Sequence, residues 1–302
     1  MELTDLRYFS NVAQTCSFVR GAELSHVTPP AVSKAVRRLE EELGTQLLVR
    51  TTRRVSVTDT GAILLRHCSL LFRQVDTLRR DLDDAGETIR GELRIGASEV
   101  FSNYLLPTAI SRAVSRHPEL IPRCYAMTPE QIQFGLREHT LDIGFTMGTR
   151  PLEQVSMHPI SDSEGALVCG PNHPLFAAGV VTAEDLQHYP SVVPRFWQRE
   201  YVQNVDLFPD DRYPRRIGAT TELLQMAIQM CLDGVFLGYF PIVAIRCHLN
   251  HGELKSLQGL QDLDPFHLHG VTAQGPNDRA GCLLILNEVR RTVEEAKQIE
   301  CA

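Results

Sequence analysis

The sequence predicts an α/β chain in three parts: an N-terminal winged helix-turn-helix, a long coiled-coil linker helix, and a larger region of strands alternating with helices. Three observations predict it. Short helix-period segments separated by turn signals fill the first sixty residues, an unbroken apolar seam follows from residue 64, and strand-like runs begin to alternate with helical ones near residue 92. With 302 residues and 43% hydrophobic content, the chain can bury two or three cores.

Leu3, Leu6, Phe9, Val12 and Ala13 recur at helical spacing and give a first helix ending near Cys16-Ser17. Ser17 is suited to cap a second helix, Phe18 to Leu24. A polar turn, Ser25-His26-Val27-Thr28, leads to Pro29-Pro30. Thr28 suits an N-cap and proline is tolerated in a first turn, so a third helix runs from Pro29 to Leu43 and Gly44 stops it. Ala31, Val32, Ala35, Val36 and Leu39 are placed to face the core, leaving Ser33, Lys34, Arg37 and Arg38 outside. Leu47–Arg50 and Arg54–Val57 then read as the two strands of a β-wing joined by Thr51-Thr52-Arg53.

Two helices with a short turn and a basic outer face make a helix-turn-helix, whose second helix enters the major groove of DNA with its N-terminal half. The candidates for base contacts are Thr28, Pro30, Ser33 and Lys34. Arg37 and Arg38 suit phosphates, and Arg50, Arg53 and Arg54 of the wing suit phosphates or the minor groove. The alternative is a solvated helix face with the arginines paired to Glu40–Glu42. The net charge of −7 speaks superficially against a nucleic-acid partner. Its distribution does not: residues 1–60 hold eight Lys/Arg against seven Asp/Glu, and residues 28–56 hold six against three.

From Leu64 the apolar or small positions continue through Cys68, Leu71, Val75, Leu78, Leu82, Ala85 and Ile89 in steps of four and three. That is a coiled-coil seam on a helix ~38 Å long at ~1.5 Å per residue. A homodimer follows from it, with two recognition helices addressing double-stranded DNA at a partly palindromic operator.

Beyond Gly91, strands are expected at 92–97, 121–127, 141–145, 166–169, 191–193 and 235–238, and helices at 103–116, 129–138, 221–233 and 279–297. The last helix carries Leu283, Leu286, Val289 and Val293 on one side. Ligands in such folds bind where strands give way to helix N-termini. The junctions Ala97-Ser98-Glu99, Met127-Thr128-Pro129, Ala219-Thr220-Thr221 and Tyr239-Phe240-Pro241 qualify, although a Ser or Thr there is equally an ordinary cap.

The run Pro29-Pro30-Ala31-Val32-Ser33-Lys34, then Arg38-Leu39-Glu40-Glu41-Glu42-Leu43-Gly44, Leu47-Leu48, Arg50 and Val57-Thr58-Asp59-Thr60-Gly61, closely resembles the DNA-binding signature of the bacterial LysR-type transcriptional regulators. Thr28 and Leu48 depart from the Gln and Phe common in that family. Leu141-Asp142-Ile143-Gly144 and Gly234 to Pro241 look like two segments of its effector domain, which is similar to periplasmic solute-binding proteins, two lobes with a cleft and paired hinge strands. The resemblance implies a DNA-binding domain at 1–60, a dimerisation linker helix at 61–90, and an effector-binding domain at 91–302. Lobe I would be about 91–161 with 267–302, and lobe II about 162–266. It further implies effector contacts at Ser98, Thr128, Phe145, Met147, Phe196, Trp197 and Thr221, and dimers that pair again as homotetramers.

Helix N-termini and hydroxyls suit a carboxylate, with Arg195 as counter-charge, and the aromatics suit an aromatic acid. Glu99 cuts against that: unless turned away it repels an anion and selects an amine or a hydroxyl. No cofactor is implied. As an enzyme the chain lacks a GxSxG, P-loop, HExxH or GxGxxG context, and its metal-like spacings, His248-x-x-His251 and His267-x-His269, lack further ligands at motif spacing, with Glu253 two residues on. A solute-binding protein would be exported and would need neither wing arginines nor seam. Cysteine-based peroxide sensing is disfavoured because residues 170–230 contain no cysteine. The eight cysteines (Cys16, Cys68, Cys124, Cys169, Cys231, Cys247, Cys282, Cys301) are scattered and read as reduced. Without a signal peptide or membrane span, the chain is expected in the cytoplasm.

Overall fold

The computed structural model describes residues 1–50, 55–84, 89–148, 153–197, 202–204, 206–274 and 279–298. The chain divides into two compact units, Met1–Asp83 and Asp84–Ala302.

In the first unit α1 (Leu3–Thr15), α2 (Phe18–Leu24) and α3 (Pro29–Leu43) precede the antiparallel strands β1 (Leu48–Arg50) and β2 (Val55–Val57), and then α4 (Asp59–Asp84). Phe9, Val12, Val32, Val36, Leu39 and Leu48 are fully buried at its centre. Ser17 caps α2 by accepting from the Arg20 N–H. Thr28 precedes α3 in extended conformation but makes no side-chain cap. The reason is local: Pro29 and Pro30 carry no N–H, and the Ala31 N–H is taken by the Thr28 carbonyl. Ala31 itself, expected in the core, is exposed. Gly44 ends α3 at φ +63°, a conformation costly for residues with a Cβ. Glu40, which the alternative reading of α3 pairs with arginine, accepts the Leu47 and Leu48 N–H groups at 3.0 and 3.1 Å and so anchors the wing to α3.

The apolar seam of α4 has two fates. Cys68 is buried with Leu64, Leu65 and Phe72 against the core of its own unit, whereas Leu71 and Val75 are half-buried and Leu78 is 58% exposed. The described helix ends at Asp84, short of the expected seam. Ile89 packs instead against the core of the second unit, and Ala85 lies outside the described residues.

The second unit contains β3 (Gly91–Ala97), a π-helical turn (Phe101–Leu105) running into α5 (Leu106–Arg116), β4 (Leu120–Ala126), α6 (Pro129–Arg137), β5 (Ile143–Met147), β6 (Val155–Ser163) and β7 (Gly165–Cys169). There follow α7 (Leu175–Ala178), α8 (Ala183–His188), β8 (Ser191–Trp197), β9 (Val202–Asn204), β10 (Ile217–Thr221), α9 (Leu224–Leu232) and β11 (Gly238–Pro241). It closes with α10 (Ile242–Asn250), β12 (Lys255–Ser256), β13 (Phe266–Ala273) and α11 (Ala280–Gln298).

Lobe I is built on the five-stranded sheet β4-β3-β5-β13-β6, in which β3 runs parallel to β4 and β5 while β13 runs antiparallel to β5 and β6. Its core joins Leu93, Ile95, Phe101, Phe145 and Ile285. Helix α11 contributes Cys282, Ile285, Leu286, Val289 and Val293, whereas Leu283, expected inward, is 45% exposed. Each fully buried aliphatic side chain contributes ~1.5–3 kcal/mol. Lobe II carries two three-stranded sheets, β10-β8-β9 and β11-β7-β12, linked by a bridge between Ser191 and Leu237. The chain passes from lobe I to lobe II along β6 and returns along its partner β13. Parallel strands with helices behind them leave the ends of β3, β5 and β8 and the N-termini of α6 and α9 around one cleft. No described helix is long and apolar enough to cross a membrane.

Candidate functional site

In the N-terminal unit α3 is buried on one side only. Val32, Ala35, Val36 and Leu39 face inward, while Thr28, Pro30, Lys34, Arg37 and Arg38 are exposed and Ser33 is half-buried. The two arginines differ. Arg37 is 77% exposed and makes only an i,i+4 pair with Glu41 at 2.8 Å, the kind of contact worth a few tenths of a kcal/mol and readily exchanged for a phosphate. Arg38 donates through Nε at 2.8 Å and Nη2 at 2.5 Å to Asp5, a carboxylate 3% exposed on α1. It therefore satisfies a buried charge and ties α3 to α1, while its side chain stays 59% exposed. The Arg50 side chain, and Arg53 and Arg54 entirely, lie outside the described residues.

In the second unit a cleft of about 550 Å³, including its open mouth, separates the lobes. Lobe I lines it with Ser98, Glu99 and Met147, and lobe II with Asp206, Glu222 and Tyr239. Val100, Pro129, Pro194, Leu224 and Phe266 supply apolar wall. Glu99 does not stand free in it. Its carboxylate reaches across to α9 and accepts the first two helical N–H groups, Leu224 at 2.7 Å and Gln225 at 3.1 Å. Helix α9 has no side-chain cap of its own, since its N-cap is Leu223, so Glu99 supplies the missing acceptors and a favourable charge at the dipole's positive end. The Tyr104 hydroxyl donates to Gln225 Oε1 at 2.7 Å beside it, its own ionisation pushed up to about 12 by burial and by Glu99.

Several expected contacts take other roles. Thr128 forms a reciprocal capping box with Gln131, and its neighbour Pro129 lines the cleft instead. Thr221 ends β10 and accepts the Leu223 N–H at 3.1 Å, while adjacent Glu222 faces the cleft. Phe145 is 0% exposed, its ring 5.4 Å from that of Phe101, so it belongs to the core of lobe I. Phe196 and Trp197 lie in β8, their side chains outside the described residues. Arg195, next to the cleft-lining Pro194 on β8, is not among the described residues that line the cleft, so the expected counter-charge is not found there. Asp206 and Tyr239 were missed as site residues: Tyr239 sat within a recognised junction, but nothing local marks Asp206.

The remaining reactive groups are accounted for elsewhere. Cys169 and Cys231 are fully buried, and burial pushes the Cys169 thiol up to about 11 and Cys231 beyond it. His248 pairs with Glu253 at 2.7 Å and His267 with Asp162 at 2.6 Å.

A one-sided basic recognition helix in one unit, and in the other two lobes closing on a cleft, define a ligand-responsive DNA-binding regulator. Residues 3–62 match the bacterial regulatory helix-turn-helix protein of the lysR family, and residues 86–286 match the LysR substrate binding domain. The chain belongs to the LysR family of bacterial transcription regulators, which bind DNA and small-molecule effectors and form oligomers. It is 29% identical over 244 residues to a probable RuBisCO transcriptional regulator of Chlorokybus atmophyticus, covering 78% of each chain. It is 31% identical over 186 residues, 62% of each chain, to a hydrogen peroxide-inducible genes activator of Pectobacterium carotovorum. Among solved structures, full-length OxyR from Pseudomonas aeruginosa superposes with a TM-score of 0.66 at 22% identity, covering 96% of this chain and 95% of that one. Full-length CbnR in complex with its target DNA gives 0.63 at 17% identity, covering 97% and 100%. At these identities the likeness carries the fold alone.

Proposed function

We propose that the protein acts in the cytoplasm as a homodimer or homotetramer that binds a partly palindromic operator and changes its grip when a small molecule enters the cleft between its lobes. The division of labour is residues 1–60 for DNA, 61–90 for dimerisation, and 91–302 for the effector, with lobe I about 91–161 and 267–302 and lobe II about 162–266. The observation that carries the DNA half is the one-sided burial of α3, which leaves Thr28, Pro30 and Lys34 exposed at the end of the helix that enters a major groove. Thr28, Pro30, Ser33 and Lys34 read bases. Arg37, with Arg50, Arg53 and Arg54 of the wing, meets phosphates, and Arg38 does so only with the N–H groups that Asp5 leaves free.

For the effector, Ser98, Glu99 and Met147 are retained as contacts, and Thr128 and Thr221 act through their neighbours Pro129 and Glu222. A carboxylate or aromatic acid was the expected ligand; the engagement of α9 by Glu99 and the burial of Phe145 weigh against it. Peroxide sensing, which the name of the Pectobacterium relative invites, is disfavoured by the buried, proton-holding thiols of Cys169 and Cys231.

The test is selection from a random-sequence duplex pool. The protein should enrich a site of two related half-sites spaced by one or more helical turns, ~34–36 Å each. Arg37→Ala should weaken binding and lower the log–log salt slope by ~0.9, the contribution of one phosphate. A pool that enriches no sequence would sink the regulatory reading, and an unchanged slope would remove Arg37 from the DNA.

A further inference from the structure

The chain has already placed its own anion where an acidic effector would bind. Glu99 fills the N-terminus of α9 with both carboxylate oxygens, at 2.7 and 3.1 Å from successive N–H groups. The cleft's remaining charge has the same sign: Asp206 and Glu222 line it with Glu99, and among the described residues no lysine or arginine does.

Two residues that line this space each carry a buried oxygen without a hydrogen-bond partner among the described residues. Among the described residues, the hydroxyl of Tyr239, a residue 0% exposed, has no hydrogen-bond partner, and neither has Oδ1 of Asp206, 3% exposed. Buried polar groups of this kind are rare because each forfeits the free energy of its lost hydration. Ser98, also a lining residue, has a buried Oγ with no partner among the described residues. Asp206 is nonetheless held firmly. Arg215, whose side chain is fully buried, donates to Asp206 Oδ2 at 2.6 Å and to Asp210 at 2.7 Å. The guanidinium lies 4.3 Å from the Phe208 ring centre, and the Phe208 and Phe266 rings in turn flank Tyr239 at 5.3 and 5.7 Å. Burial, with a smaller push from Asp210, raises the Asp206 carboxyl against the pull of Arg215 and of the Phe208 backbone N–H.

Hydroxyls alone do not choose the sign of a ligand, since each can donate or accept. The carboxylates weight the choice: Arg215 already balances Asp206, but Glu99 and Glu222 add negative charge to the lining, and Glu99 occupies the helix N-terminus that would hold an anion. Met147, Pro194 and Phe266 provide an apolar wall for the rest of the ligand.

We propose that the cleft takes a small organic cation, a protonated amine on an apolar body, whose N–H groups meet the unpaired oxygens of Asp206 and Tyr239, while Glu99 excludes carboxylates by holding the α9 N-terminus. The proposal rests on the reading of the cleft as the effector site and names the chemistry it selects.

The experiment is calorimetric titration and thermal shift of the full-length protein with matched probes: benzylammonium against benzoate, butylammonium against butyrate, and benzyl alcohol as the uncharged control. One or both ammonium ions should bind about tenfold or more tightly than the matched acid and the alcohol, and raise the unfolding midpoint. Tyr239→Phe, which removes only the unpaired oxygen, should leave the ligand-free midpoint unchanged or higher and weaken the ammonium ion several-fold. Glu99→Gln should weaken the ammonium ion and strengthen benzoate. Equal or tighter binding of the acids or the alcohol overturns the cation and leaves the cleft as an effector site. Ammonium binding indifferent to both variants also overturns it, by placing the ligand elsewhere. No binding by any probe overturns the cation and counts against the effector reading as well.

Discussion

Asp142 lies at the junction of β3, β5 and α11, 3% exposed at its side chain, and accepts from Arg94 N at 2.8 Å, Nε at 3.1 Å and Nη2 at 2.8 Å. Arg279 joins it at 2.7 Å. Burial raises the carboxyl's ionisation, but the Arg94 hydrogen bonds and the Arg279 charge outweigh it and hold the group below its ordinary range. A carboxylate depressed in the folded state contributes stability at and above its unfolded pKa of ~3.9, and loses it as pH falls through the lower folded value. Asp142→Ala should therefore cost about 3–5 kcal/mol at pH 7, because it strands two partly buried guanidinium groups. The deficit should shrink below pH ~4, and urea unfolding at pH 7 and pH 3 measures both; equal deficits would show that the loss is packing. Such residues differ in how visible they are in sequence. Thr128 carries its cap in the pattern Thr128-Pro129-Glu130-Gln131, four residues that satisfy each other locally. Glu99 finds its partners 125 and 126 positions away, and Asp206 owes its place to Arg215 and to a strand beyond it. No local window holds that information.

Elements declared themselves in proportion to their local signals. The three N-terminal helices have apolar periods bounded by Ser17, a proline pair and Gly44, and they fall where the sequence puts them. β6 and β13, which carry the chain between the lobes, were not among the strands read from residue pattern. Pro159 and a register shift opposite Leu268 and His269 break the alternation of buried and exposed positions that would have marked them. α9 begins at Leu224 and not at Thr221, because Thr220 and Thr221 are drawn into parallel pairing with Val193 and Pro194. The turn at Phe101–Leu105 is π-helical, and Pro107, which brings no N–H to the next turn, explains why the ordinary ladder starts late. The start of α4 shows what the Thr58-Asp59-Thr60-Gly61 run is for. Thr58 Oγ accepts the Gly61 N–H at 3.0 Å and donates to the Gln46 carbonyl at 2.8 Å, fastening helix to wing. A Cβ on Gly61 would stand 2.2 Å from the Leu47 carbonyl oxygen, so backbone would have to move. Gly61→Ala should lower stability by about 1–3 kcal/mol, seen as a lower urea midpoint with unchanged slope. A neutral result would mean that the wing shifts away without cost.

The whole molecule is acidic, with 30 Lys and Arg against 37 Asp and Glu, yet residues 28–56, the reading helix and wing, hold six basic against three acidic side chains, a local charge that favours DNA there. Half-buried Leu71 and Val75 and exposed Leu78 form an apolar stripe on α4 that suits pairing with the same helix of a second copy. Leu78→Asp should reduce the sedimenting mass toward that of one chain and weaken operator binding more than binding to a single half-site, since the loss falls on coupling between two recognition helices. Undiminished mass would assign association to other surfaces. The coupling between cleft and DNA is bound by a stricter condition. A ligand that alters operator affinity by some factor does so only through a difference in its own affinity for the free and DNA-bound protein, and that difference is the same factor. Titrating the best-binding ammonium probe with and without saturating operator should therefore give a ratio of dissociation constants, expected within ~5–150, equal to the ratio the probe produces in operator binding. Unequal ratios would mean that ligand or DNA also shifts the oligomer, so that the two titrations compare different assemblies. Ratios of one in both directions would leave a ligand that binds the cleft without regulating anything, and the switch would have to be sought outside it.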